Sequence, residues 1–180
     1  MFRFVLSKKK LTLLLGLILI IDSLSITGYN QYRKIKDIKK HNQIIERDFY
    51  NGNTNKYDNL KYIIIPSLDL KRIIVDDATK DSLDKYYVGL INGDINNNDG
   101  NIILAGHNIS NVFSKLHQIK IGTIIILKHN QINEYIVINI YETLKNDTSV
   151  LETVNNQKTL TLITCTDNPD KRLIVRAIRK

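Results

Sequence analysis

Residues 159–178 read TLTLITCTDNPDKRLIVRAI, two apolar runs separated by a polar turn. The runs Thr159–Cys165 and Arg172–Ile178 are rich in Thr, Ile, Leu and Val and read as strands. Thr166-Asp167-Asn168-Pro169-Asp170 reads as the turn between them. Cys165 ends the first strand, where a side chain is held rigidly and still faces a cleft. As a nucleophile it would attack as thiolate; the competing reading is a small buried apolar residue, the commonest state of a free cysteine. Arg172 opens the second strand. If the two strands are neighbours, Arg172 faces Cys165 and supplies a fixed cation for a negative oxygen; otherwise it is a charge on an edge strand.

Upstream, Asn101-Ile102-Ile103-Leu104-Ala105 reads as a third strand, followed by Gly106 and His107. Gly106 allows close approach of backbone or substrate. Cysteine and histidine far apart in sequence and adjacent in space form the usual pair of a cysteine enzyme. In that pair the imidazole shifts the thiol's proton and later protonates a leaving amine. The alternative for His107 alone is a surface loop histidine.

Further short runs complete the pattern: Lys61–Ile65, Arg72–Val75, Tyr86–Leu90, Thr123–Leu127 and Glu134–Ile140, the last alternating as a half-buried strand does. Ala78–Lys85 is expected as a short helix capped by Asp76 or Asp77, and Ser110–Leu116 as another. Many short strands with turn residues between them predict a mainly β closed barrel or sandwich. Alanine occurs only at positions 78, 105 and 177, which also suits a β core.

The formal charge of +8 is unevenly placed. Residues 1–50 carry ten Lys or Arg against four acids, leaving sixteen against fourteen in the rest. A nucleic-acid face would place its basic residues on the folded domain, so nucleic acid is not an expected partner. The single cysteine excludes an intramolecular disulfide. Its spacing from His41, His107, His117 and His129 matches no zinc pattern.

Leu11–Ile21 is an unbroken apolar run behind Lys8-Lys9-Lys10. Extended to Tyr29 it nearly reaches the ~20 residues that span a bilayer. The lysines hold that flank in the cytoplasm and send the remainder outside. The expected organisation is a cytoplasmic flank and signal anchor over 1–29, a juxtamembrane stalk over 30–57 and a catalytic domain over 58–180. Localisation follows as single-pass in the cell membrane with the domain outside. A cleaved signal peptide ending near Ser23-Leu24-Ser25 is the alternative. Asn51–Asn55 is the polar turn that marks the domain boundary.

Taken together, four stretches resemble the sortase family: Ile65–Leu70, Gly100–His107, Ile119–Gly122, and Thr161–Cys165 with Lys171–Val175. The resemblance covers about residues 60–178. It implies a closed eight-stranded sortase-type β-barrel with short helices, preceded by the membrane helix. It also implies a transpeptidase acting on an LPxTG-like sorting signal. Cys165 would be the nucleophile, His107 the general acid and base, and Arg172 the support for substrate and oxyanion, with Thr164 and Ala105 contacting the substrate. The acceptor would be a cell-wall or pilin amine, and the donors surface proteins bearing the signal. The short step from Cys165 to Arg172 leaves Thr143–Gln157 as the candidate reader of the signal and favours a class A- or D-like enzyme over class B. No metal or cofactor is expected. Asp94–Gly100 hints at calcium but is out of register with a calcium loop and lacks its terminal Glu. Alternatives of other classes are a membrane-anchored cysteine hydrolase and a non-enzymatic extracellular binding module.

Overall fold

The computed structural model describes residues 8–51, 60–85, 87–96, 100–154 and 157–180. One long helix, α1 (Lys8–Asn51), comes first. Eight strands follow: β1 (Tyr62–Ile65), β2 (Leu70–Val75), β3 (Val88–Asn92), β4 (Asn101–Ala105), β5 (Ile124–Lys128), β6 (Ile132–Leu144), β7 (Thr159–Cys165) and β8 (Lys171–Arg179). A short helix, α2 (Lys80–Leu83), lies between β2 and β3. The strands close into a barrel in the order β1-β2-β3-β4-β7-β8-β6-β5. Pairs β2–β3 and β4–β7 are parallel and the others antiparallel. Among the described residues, closure leaves no open edge to this sheet.

The alternation of each strand decides what fills the barrel. Leu160 and Leu162 of β7, Val175 and Ala177 of β8, and Ile102 and Leu104 of β4 are wholly buried in one core with Phe113 and Leu116. β6 is longer than its alternating segment predicts because two neighbours hold it. β5 pairs along Ile132–Ile136 and β8 along Tyr135–Leu144, with a register shift between Val137 and Asn139.

Two local expectations change. The cap of α2 is Thr79, whose Oγ1 accepts from the Ser82 amide at 3.4 Å, rather than Asp76 or Asp77. Asp77 instead accepts from the Thr79 hydroxyl. Ser110–Leu116 is not a helix: Asn111 takes a left-handed φ of 66°, which an α-helix does not accommodate. The segment forms turns, then a 3-10 turn at Leu116–Gln118. With no proline and only isolated glycines, α1 runs on from the apolar segment without a break.

The chain divides into two compact units, with the boundary between Lys40 and His41. In the first, Thr12–Tyr50 contains a stretch of mean hydropathy 1.8 and is long and apolar enough to cross a membrane. Its large side chains from Leu13 to Ile21 are 45–75% exposed, as lipid-facing residues would be. In the second, the last turns of α1 cover the outside of β1 and β5. Ile45 is fully buried with Tyr62 and Ile64. Asp48 is buried beside them, and its Oδ2 accepts from the Tyr62 hydroxyl at 2.9 Å and from Lys128 Nζ at 2.5 Å.

Candidate active site

β7 ends at Cys165, which is exposed. Along the strand, Leu160 and Leu162 point into the core, so Cys165 belongs to the opposite, outward set with Thr161 and Ile163. On one side β8 runs antiparallel, and Arg172 is the direct cross-strand partner of Cys165. Such partners project from the same face. On the other side β4 runs parallel, with Ala105 level with Ile163. Two bonds carry that pairing past the strand end: the Gly106 amide donates to the Ile163 carbonyl at 3.1 Å, and the Thr164 hydroxyl donates to the Gly106 carbonyl at 2.8 Å. The chain entering His107 is therefore fixed alongside the chain entering Cys165.

Each of the three side chains has its own surroundings. His107 Nε2 lies 3.2 Å from Asp84 Oδ1, just beyond α2, an ion pair when the imidazole is protonated. Arg172 Nη1 donates to the carbonyls of Pro169 at 3.0 Å and Lys171 at 2.7 Å. These bonds fix the base of the guanidinium on the β7–β8 turn and use only one of its nitrogens. Gly106 is required for packing: a Cβ there would stand 2.6 Å from the Phe113 ring.

A cleft of about 530 Å³ opens beside the thiol. Its walls include Phe113 and His117 on one side, Asp167 and Lys171 on the other, and Glu142 and Leu173 from β6 and β8. Neither His107 nor Arg172 is among the described residues lining it; Arg172 pairs with Cys165 on β8, and His107 lies two residues beyond the end of β4, the other neighbour of β7. Thr164 lines the cleft but is 3% exposed, with its hydroxyl held by Gly106. Ala105 is half-buried at the end of β4.

The Thr143–Gln157 segment lies elsewhere. None of its described residues lines the cleft. Arg176 Nη2 donates to the Ser149 carbonyl at 2.6 Å, and Asn101 Nδ2 donates to Val150 and Glu152 at 3.0 and 3.1 Å. Asp147 accepts from the Thr143 hydroxyl and the Ser149 amide, which hold its carboxyl below the ordinary range. The segment is thus pinned along the barrel wall. Of the Asp94–Gly100 loop, residues 97–99 lie outside the described residues. Asp94 accepts from the Asn96 amide through its side chain and from Lys158 through its carbonyl. Among the described residues no three His, Cys, Asp or Glu side chains are grouped to hold a metal ion.

Sequence reading missed Asp84, Asn101, Glu142 and His117. Asp84 was read only as part of a short helix, and nothing in its neighbourhood marks it as a partner of a histidine 23 residues away.

A closed barrel that presents an exposed cysteine at a strand end, between a neighbouring strand leading to histidine and another opening on arginine, defines a narrow structural class. The chain belongs to the sortase family: the Sortase domain matches residues 63–180. Members of that family are cysteine transpeptidases. A Clostridium perfringens sortase D5 transpeptidase is 25% identical, with 81% of this chain and 99% of that one covered and a TM-score of 0.66. Sortase C of Streptococcus pneumoniae is 25% identical, covering 69% and 70%, with a TM-score of 0.63. Sortase A of Corynebacterium diphtheriae is 26% identical, covering 68% and 60%, at 0.59. No curated protein matched the sequence.

Proposed function

We propose that the chain is a membrane-anchored sortase that cleaves an LPxTG-like sorting signal and transfers the protein to a cell-wall or pilin amine. The observation that carries this reading is the placement of exposed Cys165 directly opposite Arg172 and beside the strand that leads into His107. The Cys165 thiolate attacks the scissile carbonyl, and the Arg172 donors not bound to the turn stabilise the oxygen as it gains charge. His107, oriented by Asp84, gives a proton to the leaving amine as the C–N bond breaks, leaving a thioester on Cys165. Water must lose to the acceptor at this stage, which a partly walled cleft favours. Thr164 and Ala105 shape the ground beside the thiol, Thr164 by fixing the backbone next to His107.

The anchor comprises residues 1–29, the stalk 30–57 and the catalytic domain 58–180, with that domain outside the cell. The triple lysine before the apolar run supports this orientation. The short β7–β8 turn supports a class A- or D-like enzyme over class B.

The test offers full-length protein in detergent a fluorogenic LPxTG-like peptide with triglycine. The expected result is a thioester on Cys165 by mass spectrometry and a joined peptide–triglycine product. Cys165→Ala and His107→Ala abolish both while the far-ultraviolet dichroism is unchanged. Cleavage without joining would replace transpeptidase by hydrolase, and undiminished transfer by Cys165→Ala would end the proposal.

A further inference from the structure

We infer that Glu142 receives the ammonium of the acceptor amine, and that the cleft beside Cys165 is the path by which this amine reaches the acyl group. The inference rests on the transpeptidase reading and adds where the second substrate binds.

A transpeptidase needs two approaches to one sulfur. Cys165 stands where two surfaces meet. Its own strand parity faces outward with Ile163 and Arg172. The cleft, which Cys165 also lines, extends from it toward the other side, along Thr164 and Leu173 from the inward sets of β7 and β8 and Glu142 from β6. At about 530 Å³ it accepts a short peptide amine.

Glu142 is directly opposite Leu173, and Lys171 is opposite Leu144, so Glu142 and Lys171 are diagonal neighbours across β6 and β8. Lys171 Nζ lies 3.3 Å from Glu142 Oε2, with the side chains 46% and 49% exposed. A half-exposed pair of this kind is held weakly. Lys171 carries a primary ammonium on a flexible stem. The carboxylate therefore already receives, within the cleft, the group that an acceptor amine presents. An incoming ammonium displaces Lys171 and is held in the space next to the thioester. Asp167 also lines the cleft, but it sits on the exposed turn two residues after Cys165 and has no cationic partner among the described residues.

The step balances. The acceptor ammonium loses one proton to solvent, and its nitrogen attacks the thioester carbon. The C–N bond forms, the C–S bond breaks, and the second proton passes to the imidazole of His107. The products are an amide, the Cys165 thiolate and an imidazolium, which is the starting state of the enzyme.

The experiment compares two nucleophiles on the full-length chain: triglycine, whose amine is mostly an ammonium at neutral pH, and hydroxylamine, which is mostly neutral. Thioester formation on Cys165 is followed in the wild type; its absence would remove the transpeptidase reading itself. With thioester present, Glu142→Gln is expected to raise the half-saturating triglycine concentration about tenfold, the loss of one charge-assisted contact. The hydroxylamine requirement should move less than about twofold, and Lys171→Met should lower the triglycine requirement. An unchanged triglycine requirement in Glu142→Gln would overturn the inference. So would an equal loss with both nucleophiles, which marks a structural role, or an effect of Asp167→Asn in place of Glu142→Gln.

Discussion

Thr164 and Gly106 are joined by a hydrogen bond of 2.8 Å that runs from hydroxyl to carbonyl across β7 and β4. The bond lies one residue before Cys165 and one before His107. It is buried, and it couples the two chain segments that carry the thiol and the imidazole where their parallel ladder ends.

Thr164→Val keeps the shape of the side chain and removes that donor. The Gly106 carbonyl then loses a partner, which costs ~1–3 kcal/mol. The chain entering His107 also loses a fixed point, so transfer should fall further than the loss of folded protein explains. Urea unfolding and kcat/KM measured on the same preparation separate the two effects. Equal activity per folded molecule would show that the bond serves stability alone.

Local patterning revealed what depends on neighbours in sequence. The bounds of β4 and β7 follow from their apolar runs, and Cys165, His107 and Arg172 stand at strand ends because those runs stop there. The helix expected at Ser110–Leu116 failed on a single residue, Asn111, whose left-handed backbone no periodicity reveals. Asn101 was invisible as a polar anchor because its partners lie 49 to 60 residues away. The same holds for Glu142 and Lys171, brought together only by the pairing of β6 with β8.

Asn101 is a second point at which one side chain holds distant backbone. Its Oδ1 accepts from the Thr161 hydroxyl at 2.9 Å while its amide nitrogen serves the Val150 and Glu152 carbonyls. Asn101→Leu removes all three bonds at a position 6% exposed. A loss of at least ~1–3 kcal/mol is expected. Amides from Ser149 to Glu152 should exchange with deuterium faster than those of β7. Uniform acceleration across the barrel would mean that the segment is not released locally.

Asp48 has a comparable role at the end of α1. It is 3% exposed and neutralises Lys128, whose side chain is 11% exposed, while Tyr62 donates to the same oxygen. Burial, then Asp48 itself, pushes the Tyr62 hydroxyl well above its ordinary range, so it remains a donor throughout the working pH. Asp48→Ala leaves a buried ammonium and a buried hydroxyl without their acceptor, for a loss of about 3–5 kcal/mol. Adding Lys128→Met should recover part of it, since the uncompensated charge is then gone. A double variant no more stable than Asp48→Ala would assign the loss to the cavity instead.

His129 supplies a pH dependence whose sign is fixed by its surroundings. It sits in the turn between β5 and β6, with Nδ1 buried and unpartnered among the described residues. Burial lowers its pKa below the ordinary 6.5; Lys61 and Lys128 push the same way, while Asp94 and Asp76 oppose them. The unfolded chain therefore takes up this proton at a higher pH than the folded chain does. Between the two values the unfolded state binds more protons, so stability falls as pH falls. The contribution is complete above the ordinary value and is lost as pH drops through the folded one. His129→Gln cannot titrate and lacks this component. The other three histidines are common to both proteins and cancel in the comparison. The difference in urea midpoint between wild type and His129→Gln should be constant above pH 7 and shift against the wild type below about pH 6. A difference that stays constant down to pH 5, or shifts in favour of the wild type, would show that the folded protein takes up the proton at His129 at no cost.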